Sequence, residues 1–202
     1  LQKCGHSQLL AERAVAALVK TAGNLQQGLC KANQDVYSLL KYGAKVHENP
    51  GEPDTTVYFI DWENSGSNDF AIAEEVTLHM GNTRRPDLVV YVNGIALAVI
   101  ELKKSTVSVS NGIRQSLSNQ SDYFSKPFYT TIQFVMSGNT SEGLRYATIE
   151  IPEKYYLEWK NDKVNTTAQP MDDVSIDILE KCKDLRNKLD WQLYSMFQKH
   201  RF

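Results

Sequence analysis

The chain has 202 residues, of which 42% are hydrophobic and 23% are charged, and its formal net charge at pH 7 is -2. This length suffices for one domain with a sizeable core, and the composition is that of a globular protein. Lysine and arginine give proteins non-specific affinity for DNA by neutralising phosphates, so a slightly acidic chain offers no electrostatic reason to expect nucleic acid. Any affinity for DNA is therefore expected to be local, or to come from other domains or subunits.

The sequence carries no signal for a membrane or for secretion. None of its uninterrupted apolar runs is longer than the six residues 95–100, far fewer than the roughly 20 residues that cross a bilayer, and the first residues lack the apolar centre of a secretory signal. The three cysteines lie far apart without a paired spacing, and the four histidines are equally scattered. We therefore expect reduced thiols in a cytoplasmic protein, rather than a disulfide framework or a zinc site.

Two helices are predicted before the first strand. Residues 8–19 place apolar side chains on one stripe, with Ser7 as the N-cap and Gly23 as the stop signal. Residues 34–42 are predicted to form a second, shorter helix that ends at Gly43. A loop rich in proline, glycine and acidic residues follows.

The rest of the chain combines strands with helices. The predicted strands cover residues 56–62, 72–79, 88–92, 95–102, 130–136 and 145–151, and the predicted helices cover residues 110–124 and 174–200. Polar residues from 161 to 172 indicate a linker before the last helix. Helices at both ends, with several strands and one helix between them, predict a mixed α/β domain whose central sheet is flanked by helices.

One segment, residues 84–103, concentrates groups that can do chemistry. Asp87 stands at the start of one hydrophobic strand, and Glu101 and Lys103 stand at the end of the next. Side chains alternate along a strand, so Glu101 and Lys103 share a face, and a hairpin would return Asp87 to their side. Mg²⁺ binds between such carboxylates, and a lysine can orient water or stabilise charge that builds on phosphorus. The pattern is typical of metal-dependent phosphodiester hydrolysis, although strand ends that simply reach solvent also carry such residues.

The hairpin turn at residues 93–94 decides whether the two carboxylates can meet. A regular hairpin with a two-residue turn would leave Asp87 and Glu101 on opposite faces. A three-residue loop with Gly94 in a left-handed bulge would pair Asp87 with Val99 and place Glu101 diagonally across on the same face. The functional interpretation therefore predicts a bulge or an odd-length turn in this hairpin.

The sequence around these residues resembles a known family. RRPDLVVYVNG at 84–94, followed by AVIELK at 98–103, is similar to the nuclease domain of the R (restriction) subunit of type I restriction-modification enzymes, within the PD-(D/E)xK nuclease superfamily. Further blocks in the same order extend the similarity: residues 60–62, 68–70, 133–139, 143–148 and 155–160. The resemblance covers roughly residues 33–160 and implies an α/β restriction-endonuclease-like fold, with a central mixed sheet flanked by helices.

The resemblance assigns roles to the three residues of the hairpin. Asp87 matches the metal-binding aspartate of the family, and Glu101 matches its metal-binding glutamate. Lys103 matches the catalytic lysine. The cofactor implied is Mg²⁺ and the substrate implied is double-stranded DNA, cut during the restriction of foreign DNA.

A Gln-x-x-x-Tyr motif, linked in the family to DNA handling and nuclease activity, is matched only in part. Gln115 stands where the family has the glutamine, so the resemblance implies a catalytic role for it. The fourth residue after it is Asn119 rather than tyrosine. Gln120 with Tyr123, at a spacing of three, is the alternative, and the role of the tyrosine stays unassigned.

The resemblance also implies partners and a domain division. The R subunit of this family works with methylation and specificity subunits, and it carries a helicase motor that moves DNA at the expense of ATP. This chain has no GxxxxGK[ST] phosphate loop, so ATP would act only through absent motor domains. We therefore predict a nuclease domain at residues 1–160, and a linker and terminal helix at residues 161–202 that lead toward the motor.

Two hypotheses about activity stay open. The first is an active Mg²⁺-dependent endonuclease module, which the presence of all three catalytic residue types favours. The second is a module with the nuclease fold that binds DNA or docks on other subunits without cutting independently. The acidic net charge, the missing tyrosine and the missing motor argue against a free-standing nuclease. Because cutting in the family occurs within an assembly, we expect weak or no cleavage by this chain alone.

Other residues admit two interpretations each. Arg84 and Arg85 either contact phosphates near the scissile bond or form the solvated end of a strand. Glu12 is a candidate for the additional N-terminal acid of some superfamily members, and the simpler interpretation is a solvated helix residue. Trp159 and Trp191 are predicted to pack in the protein rather than to stack on bases.

Overall fold

The structure is a computed structural model that describes residues 5–78, 84–121, 125–159 and 187–197. In chain order its elements are α1 (Gln8–Ala22), α2 (Leu29–Tyr42), β1 (Ala44–Val46), β2 (Thr55–Val57), β3 (Phe70–Glu74), β4 (Leu88–Val92), β5 (Ile95–Leu102), α3 (Val109–Ser121), α4 (Lys126–Tyr129), β6 (Phe134–Asn139), β7 (Gly143–Ala147), β8 (Leu157–Glu158) and α5 (Lys188–Met196). None of the helices in these ranges is long and apolar enough to span a bilayer.

A six-stranded sheet organises the fold. Its strands lie in the order β3-β4-β5-β6-β7-β8, and a separate antiparallel pair is formed by β1 and β2. Within the large sheet only β5 and β6 are parallel, and α3 and α4 connect them. A parallel connection needs such a crossover, whereas antiparallel neighbours need only a turn. The predicted α/β fold with a central mixed sheet flanked by helices is confirmed.

Both faces of the sheet are covered, which explains the continuous apolar run in β5. On one face Val99 packs in a buried cluster with Tyr129 of α4 and Leu29 of α2. On the other face Ile100 packs in a cluster with Leu189 of α5. Successive side chains of a strand point to opposite faces, so a strand buried on both sides is apolar at every position.

The helices α1 and α2 form a third apolar cluster with the two short strands. Ser7 caps α1 as predicted, because its side-chain oxygen accepts a hydrogen bond from the Leu10 amide. Gly23 and Gly43 end the two helices, also as predicted. Gly43 has φ 77°, and a Cβ there would lie 2.9 Å from the carbonyl oxygen of Val57, so no larger residue fits.

The predicted start of α2 at residue 34 is wrong, since the helix begins at Leu29. The extra turn is buried by tertiary contacts: Leu29 is 1% exposed, and the Asn33 side chain donates hydrogen bonds to the carbonyl oxygens of Thr130 and Ile132. A polar residue therefore faces the protein interior, which conceals the helical pattern in the sequence. The strand β1 was not predicted either, because three residues are too few for a periodic signal.

Two predicted strands in the first half of the sheet have wrong bounds. The strand predicted at 56–62 ends at Val57, after which the chain is irregular and the Phe59 carbonyl accepts a hydrogen bond from the Asn93 side chain. The strand predicted at 72–79 is β3, which ends at Glu74 because Glu75 adopts a positive φ of 52° and leaves the extended conformation.

The bounds of three further predicted elements differ from the structure in the second half of the domain. The strand predicted at 130–136 is wrong at both ends, because α4 and a turn precede β6 and the segment 137–139 continues the strand. The strand predicted at 145–151 is β7, which ends before the positive φ of Glu150. The helix predicted at 110–124 is α3, whose bounds differ by one residue at the start; residues 122–124 lie outside the described residues.

The helix α5 docks on the sheet through buried polar contacts as well as apolar ones. The Gln192 side chain accepts a hydrogen bond from the Leu144 amide and donates one to the Trp159 carbonyl, each at 2.6 Å. The Trp159 indole donates to Ser195 Oγ at 2.6 Å, so Trp159 packs in the protein as predicted. Most of the predicted linker and helix lies outside the described residues, so the division of the chain at residue 160 stays a prediction.

Candidate active site

The hairpin of β4 and β5 contains both the regular turn and the bulge. Asn93 and Gly94 adopt φ values of 51° and 80°, as a two-residue turn with two left-handed residues requires. The predicted three-residue loop with Gly94 in the bulge is therefore wrong. The register instead pairs Ala96 and Ala98 with consecutive residues of β4, so Leu97 is the extra residue of a bulge inside β5. The predicted bulge is confirmed, at a position three residues later in the chain.

The bulge places the two carboxylates on one face of the sheet. The register pairs Leu88 with Ile100, and its extension by one position sets Asp87 opposite Glu101. Without the extra residue at Leu97, a two-residue turn would place Glu101 on the other face. Asp87 is held at this end of the hairpin, because its Oδ2 accepts a hydrogen bond from the Leu102 amide at 2.7 Å.

The carboxylate of Glu101 is the buried centre of the site. The residue is 1% exposed, and its Oε2 accepts a hydrogen bond from Gln115 Nε2 at 2.8 Å. Its Oε1 has a longer contact, 3.4 Å from Asn119 Nδ2. Lys103 Nζ lies 3.8 Å from Glu101 Oε2 and donates to Gln115 Oε1 at 2.8 Å. The structure thus brings Asp87, Glu101, Lys103 and Gln115 together in one cluster.

The electrostatics of the cluster favour a cation. Burial and, second to it, the nearby charge of Asp87 raise the pKa of Glu101 from 4.5 to about 7, against the lowering effect of Lys103. The ionised pair of carboxylates is therefore destabilised in the protein alone, and a divalent cation would compensate it. Mg²⁺ uses one or two protein carboxylates together with water and phosphate oxygens. The two carboxylates of Asp87 and Glu101 match the number that Mg²⁺ takes from proteins. Among the described residues no group of three or more acidic, histidine or cysteine side chains could hold a metal.

Two residues near the cluster have no role predicted from the sequence: Asn119, which contacts Glu101, and Tyr129, which packs in the apolar cluster that includes Val99. Asn119 follows Gln115 by four residues, so both carboxamides lie on one face of α3 and approach the two oxygens of Glu101. This spacing is a signal that the sequence contains. Tyr129 comes from α4 and is completely buried, and nothing in the sequence indicates its place.

A glycine lets α3 approach the sheet at the site. A Cβ on Gly112 would lie 2.1 Å from Ser137 Oγ and 3.3 Å from Lys103 Cε. We expect Gly112→Ala to destabilise the domain by about 1–3 kcal/mol, the usual cost of overpacking, because the buried Ser137 belongs to the sheet and cannot move away. Urea denaturation measures the effect.

The control for this substitution is Gly66→Ala, where the nearest atom to an added Cβ lies 3.5 Å away and φ is not positive. We expect the control to stay within about 0.5 kcal/mol of the wild type, as surface substitutions usually do. Equal stability of Gly112→Ala and the wild type would contradict the close packing of α3 on the sheet.

Other candidates from the sequence lie in different surroundings. Arg85 forms an exposed ion pair with Glu75 at 3.3 Å. Glu12 accepts a hydrogen bond from Gln8 on the exposed side of α1, in keeping with a solvated helix residue. Gln120 is buried and accepts a hydrogen bond from the Glu150 amide at 2.5 Å, which gives it a structural contact. Its alternative partner, residue 123, lies outside the described residues.

Comparisons with known proteins point to one family. A family model described as the type I restriction enzyme R protein N terminus matches residues 4–154. The chain is 36% identical over 99 residues to the type I restriction enzyme HindI endonuclease subunit of Haemophilus influenzae, an alignment that covers 46% of this chain and 9% of that protein. It is 33% identical over 101 residues to a Methanocaldococcus jannaschii protein whose name assigns it to the endonuclease subunit of a type I restriction enzyme, MjaIXP, with 46% and 10% covered.

The alignments and the family model cover different shares of the proteins compared. The two alignments span about a tenth of the length of the curated relatives, whereas the family model covers most of the present chain. The resemblance found in the sequence around Asp87 and Glu101 is thereby confirmed at the level of the family. The chain belongs to the family of N-terminal domains of type I restriction enzyme R proteins.

Proposed function

We propose that this domain hydrolyses phosphodiester bonds of double-stranded DNA with Mg²⁺ held by Asp87 and Glu101. The observation that carries the proposal is the bulge at Leu97, which sets the two carboxylates opposite each other beside Lys103. When bound, the metal would polarise the phosphodiester and lower the pKa of a water molecule. The carboxylates of Asp87 and Glu101 would supply its protein ligands.

Lys103 is proposed to orient the attacking water and to stabilise negative charge on the phosphorus centre. Its side chain is only 18% exposed, and Gln115 accepts a hydrogen bond from its Nζ. The ammonium group is therefore held in one position instead of moving freely in solvent. A fixed position is what preorganised electrostatic stabilisation of a transition state requires. Gln115 in turn donates to Glu101, so one carboxamide fixes the relative position of the lysine and the glutamate.

The chain alone is expected to bind DNA weakly. Its net charge is -2, and DNA affinity depends on cationic contacts to phosphates. We therefore propose that methylation and specificity subunits, and motor domains that use ATP, deliver the DNA in the complete enzyme. The proposed site of action is the cytoplasm, and the proposed role is restriction of foreign DNA. The alternative, a docking module without independent cleavage, predicts no metal binding at the cluster.

Metal binding by the chain is the direct test. We expect Mn²⁺, followed by the electron paramagnetic resonance signal of the free ion, to bind the wild-type chain. Asp87→Asn should weaken this binding by about tenfold or more, since losing even a hydrogen bond to a metal ligand costs about 10–100-fold in metal affinity. Glu74→Gln, which removes an exposed carboxylate on the neighbouring strand, is the matched control and should bind as the wild type does. Equal Mn²⁺ affinity of Asp87→Asn and the wild type would refute the proposed site.

A further inference from the structure

Tyr129 carries a buried hydroxyl for which the fold offers no ordinary hydrogen bond. The residue is 0% exposed, and among the described residues its hydroxyl oxygen has no partner of normal hydrogen-bond geometry. Buried polar groups are almost always satisfied, so an orphaned hydroxyl calls for an explanation. Tyr156, which packs against the same apolar cluster as Tyr129, has a hydroxyl of the same kind.

The surroundings of this hydroxyl are those of the candidate active site. Burial raises the pKa of Tyr129 well above its ordinary value, the nearby charge of Glu101 raises it further, and the side chains of Asn119 and Ser116 lower it. Tyr129 packs in the same buried cluster as Val99, and Glu101, two residues further along β5, points to the same face of the sheet. The phenol therefore lies on the side of the sheet where Asn119 contacts Glu101. For Tyr156, burial raises the pKa to about 12, and the side chain that lowers it is Gln120 rather than Asn119 or Ser116.

The two oxygens of Glu101 are unequally satisfied. Oε2 accepts a hydrogen bond of 2.8 Å from Gln115 and lies 3.8 Å from the ammonium group of Lys103. Oε1 has the 3.4 Å contact with Asn119. An ionised carboxylate accepts several hydrogen bonds, and a buried one is costly without them. An under-satisfied acceptor and a donor without a partner among the described residues thus lie on the same side of the sheet, where Asn119 contacts the acceptor.

The position of Tyr129 is fixed from outside the cluster. Asn33 of α2 is buried and donates hydrogen bonds of 3.0 Å and 2.8 Å to the carbonyl oxygens of Thr130 and Ile132, directly after α4. The Thr130 hydroxyl donates to the Pro127 carbonyl at 2.8 Å. The phenol is consequently anchored by its own backbone, and its hydroxyl is left available to the cluster.

We propose that Tyr129 is a positioning residue for Glu101: its hydroxyl, directly or through Asn119, donates to the Oε1 side of the ionised carboxylate and fixes the orientation in which Glu101 binds the metal. This inference rests on the proposed function. It extends the site to α4, a helix that supplies none of the residues proposed to contact metal or DNA.

Three variants of the chain test the proposal with Mn²⁺ as the probe: Tyr129→Phe, Tyr156→Phe as the matched control, and Asp87→Asn as the reference for the site. We expect Tyr129→Phe to lower Mn²⁺ affinity about tenfold, the scale of losing a hydrogen bond to a metal ligand, and Tyr156→Phe to leave it unchanged. Among the described residues the Tyr129 hydroxyl has no partner of normal hydrogen-bond geometry, so its removal should not lower the free energy of unfolding without metal.

The outcomes separate the inference from the proposed function. Wild-type Mn²⁺ affinity in Tyr129→Phe overturns the inference, and if Asp87→Asn still loses affinity the proposed site stands. Wild-type affinity in Asp87→Asn overturns both. A Tyr129→Phe variant that is less stable without metal but binds Mn²⁺ normally would show a purely structural role, and the inference would again be wrong.

Discussion

In the complete restriction enzyme that we propose contains this domain and uses ATP, Asp87→Asn and Glu101→Gln are each expected to abolish DNA cleavage while ATP hydrolysis continues. Each substitution removes one of the two negative ligands proposed for the metal, whereas the fold around the hairpin keeps its shape. Lys103→Ala should reduce the cleavage rate by about 10²–10³-fold or more, the usual effect of removing one preorganised stabilising group. Cleavage of a plasmid substrate and release of phosphate from ATP, measured on the same preparations, give the two readouts.

Lys104→Ala is the matched control for the lysine. It removes the same charge one residue later, at an exposed position, and it should leave cleavage within about twofold of the wild type, since exposed charges contribute little. Wild-type cleavage by any one of the three site variants would show that its assigned role is wrong. Joint loss of cleavage and ATP hydrolysis would indicate an assembly defect instead.

Glu101→Gln is expected to stabilise the metal-free chain at pH 8. The folded-state pKa of Glu101 is raised from 4.5 to about 7, with burial as the main cause, so the folded protein binds this proton more tightly than the unfolded chain does. The stabilisation that comes from the protonated carboxyl is therefore complete below about pH 4.5 and is lost as the pH rises through 7. At 1.36 kcal/mol per pKa unit, the difference amounts to roughly 3 kcal/mol.

The measurement is urea denaturation of both proteins between pH 4.5 and 8 in the presence of a chelator. The difference in the free energy of unfolding between Glu101→Gln and the wild type should increase toward high pH. Mg²⁺ should reduce this difference by stabilising the wild type alone. Glu74→Gln, at an exposed position, serves as the control and should follow the wild type at every pH. If the free energy of unfolding depended on pH in the same way for Glu101→Gln and the wild type, the raised pKa of Glu101 would be wrong.

The sequence predicted the bounds of secondary structure best where the local pattern and the tertiary structure agree. The strands β4 and β5 have the predicted bounds, because a strong turn at residues 93–94 separates two apolar runs that are buried in the sheet. The prediction was worst where long-range contacts decide. The start of α2 depends on the carbonyl groups that Asn33 reaches, and α4 is a four-residue helix whose apolar neighbours resemble a strand.

The candidate site also combines features that a local pattern predicts with features that depend on long-range contacts. The sequence predicted that Asp87 and Glu101 need a bulge to share a face, because side-chain alternation leaves no other solution for a two-residue turn. It did not predict that the bulge would fall at Leu97, since the turn chemistry at Gly94 is equally compatible with a longer loop. The approach of Tyr129 to Glu101 requires the packing of α4 against α3, which no local pattern encodes.

The docking of α5 has a consequence for the synthesis of the protein. A ribosome releases the N-terminal part of a chain first, and the last strand of the sheet, β8, ends at Glu158, whereas α5 begins at Lys188. Until α5 has emerged, the sheet face that carries Ile100 and Leu144 has no cover from Leu189. At ~5–20 residues per second this interval lasts roughly 2–6 seconds. During that time the nascent domain presents an apolar sheet face to chaperones and to other nascent chains.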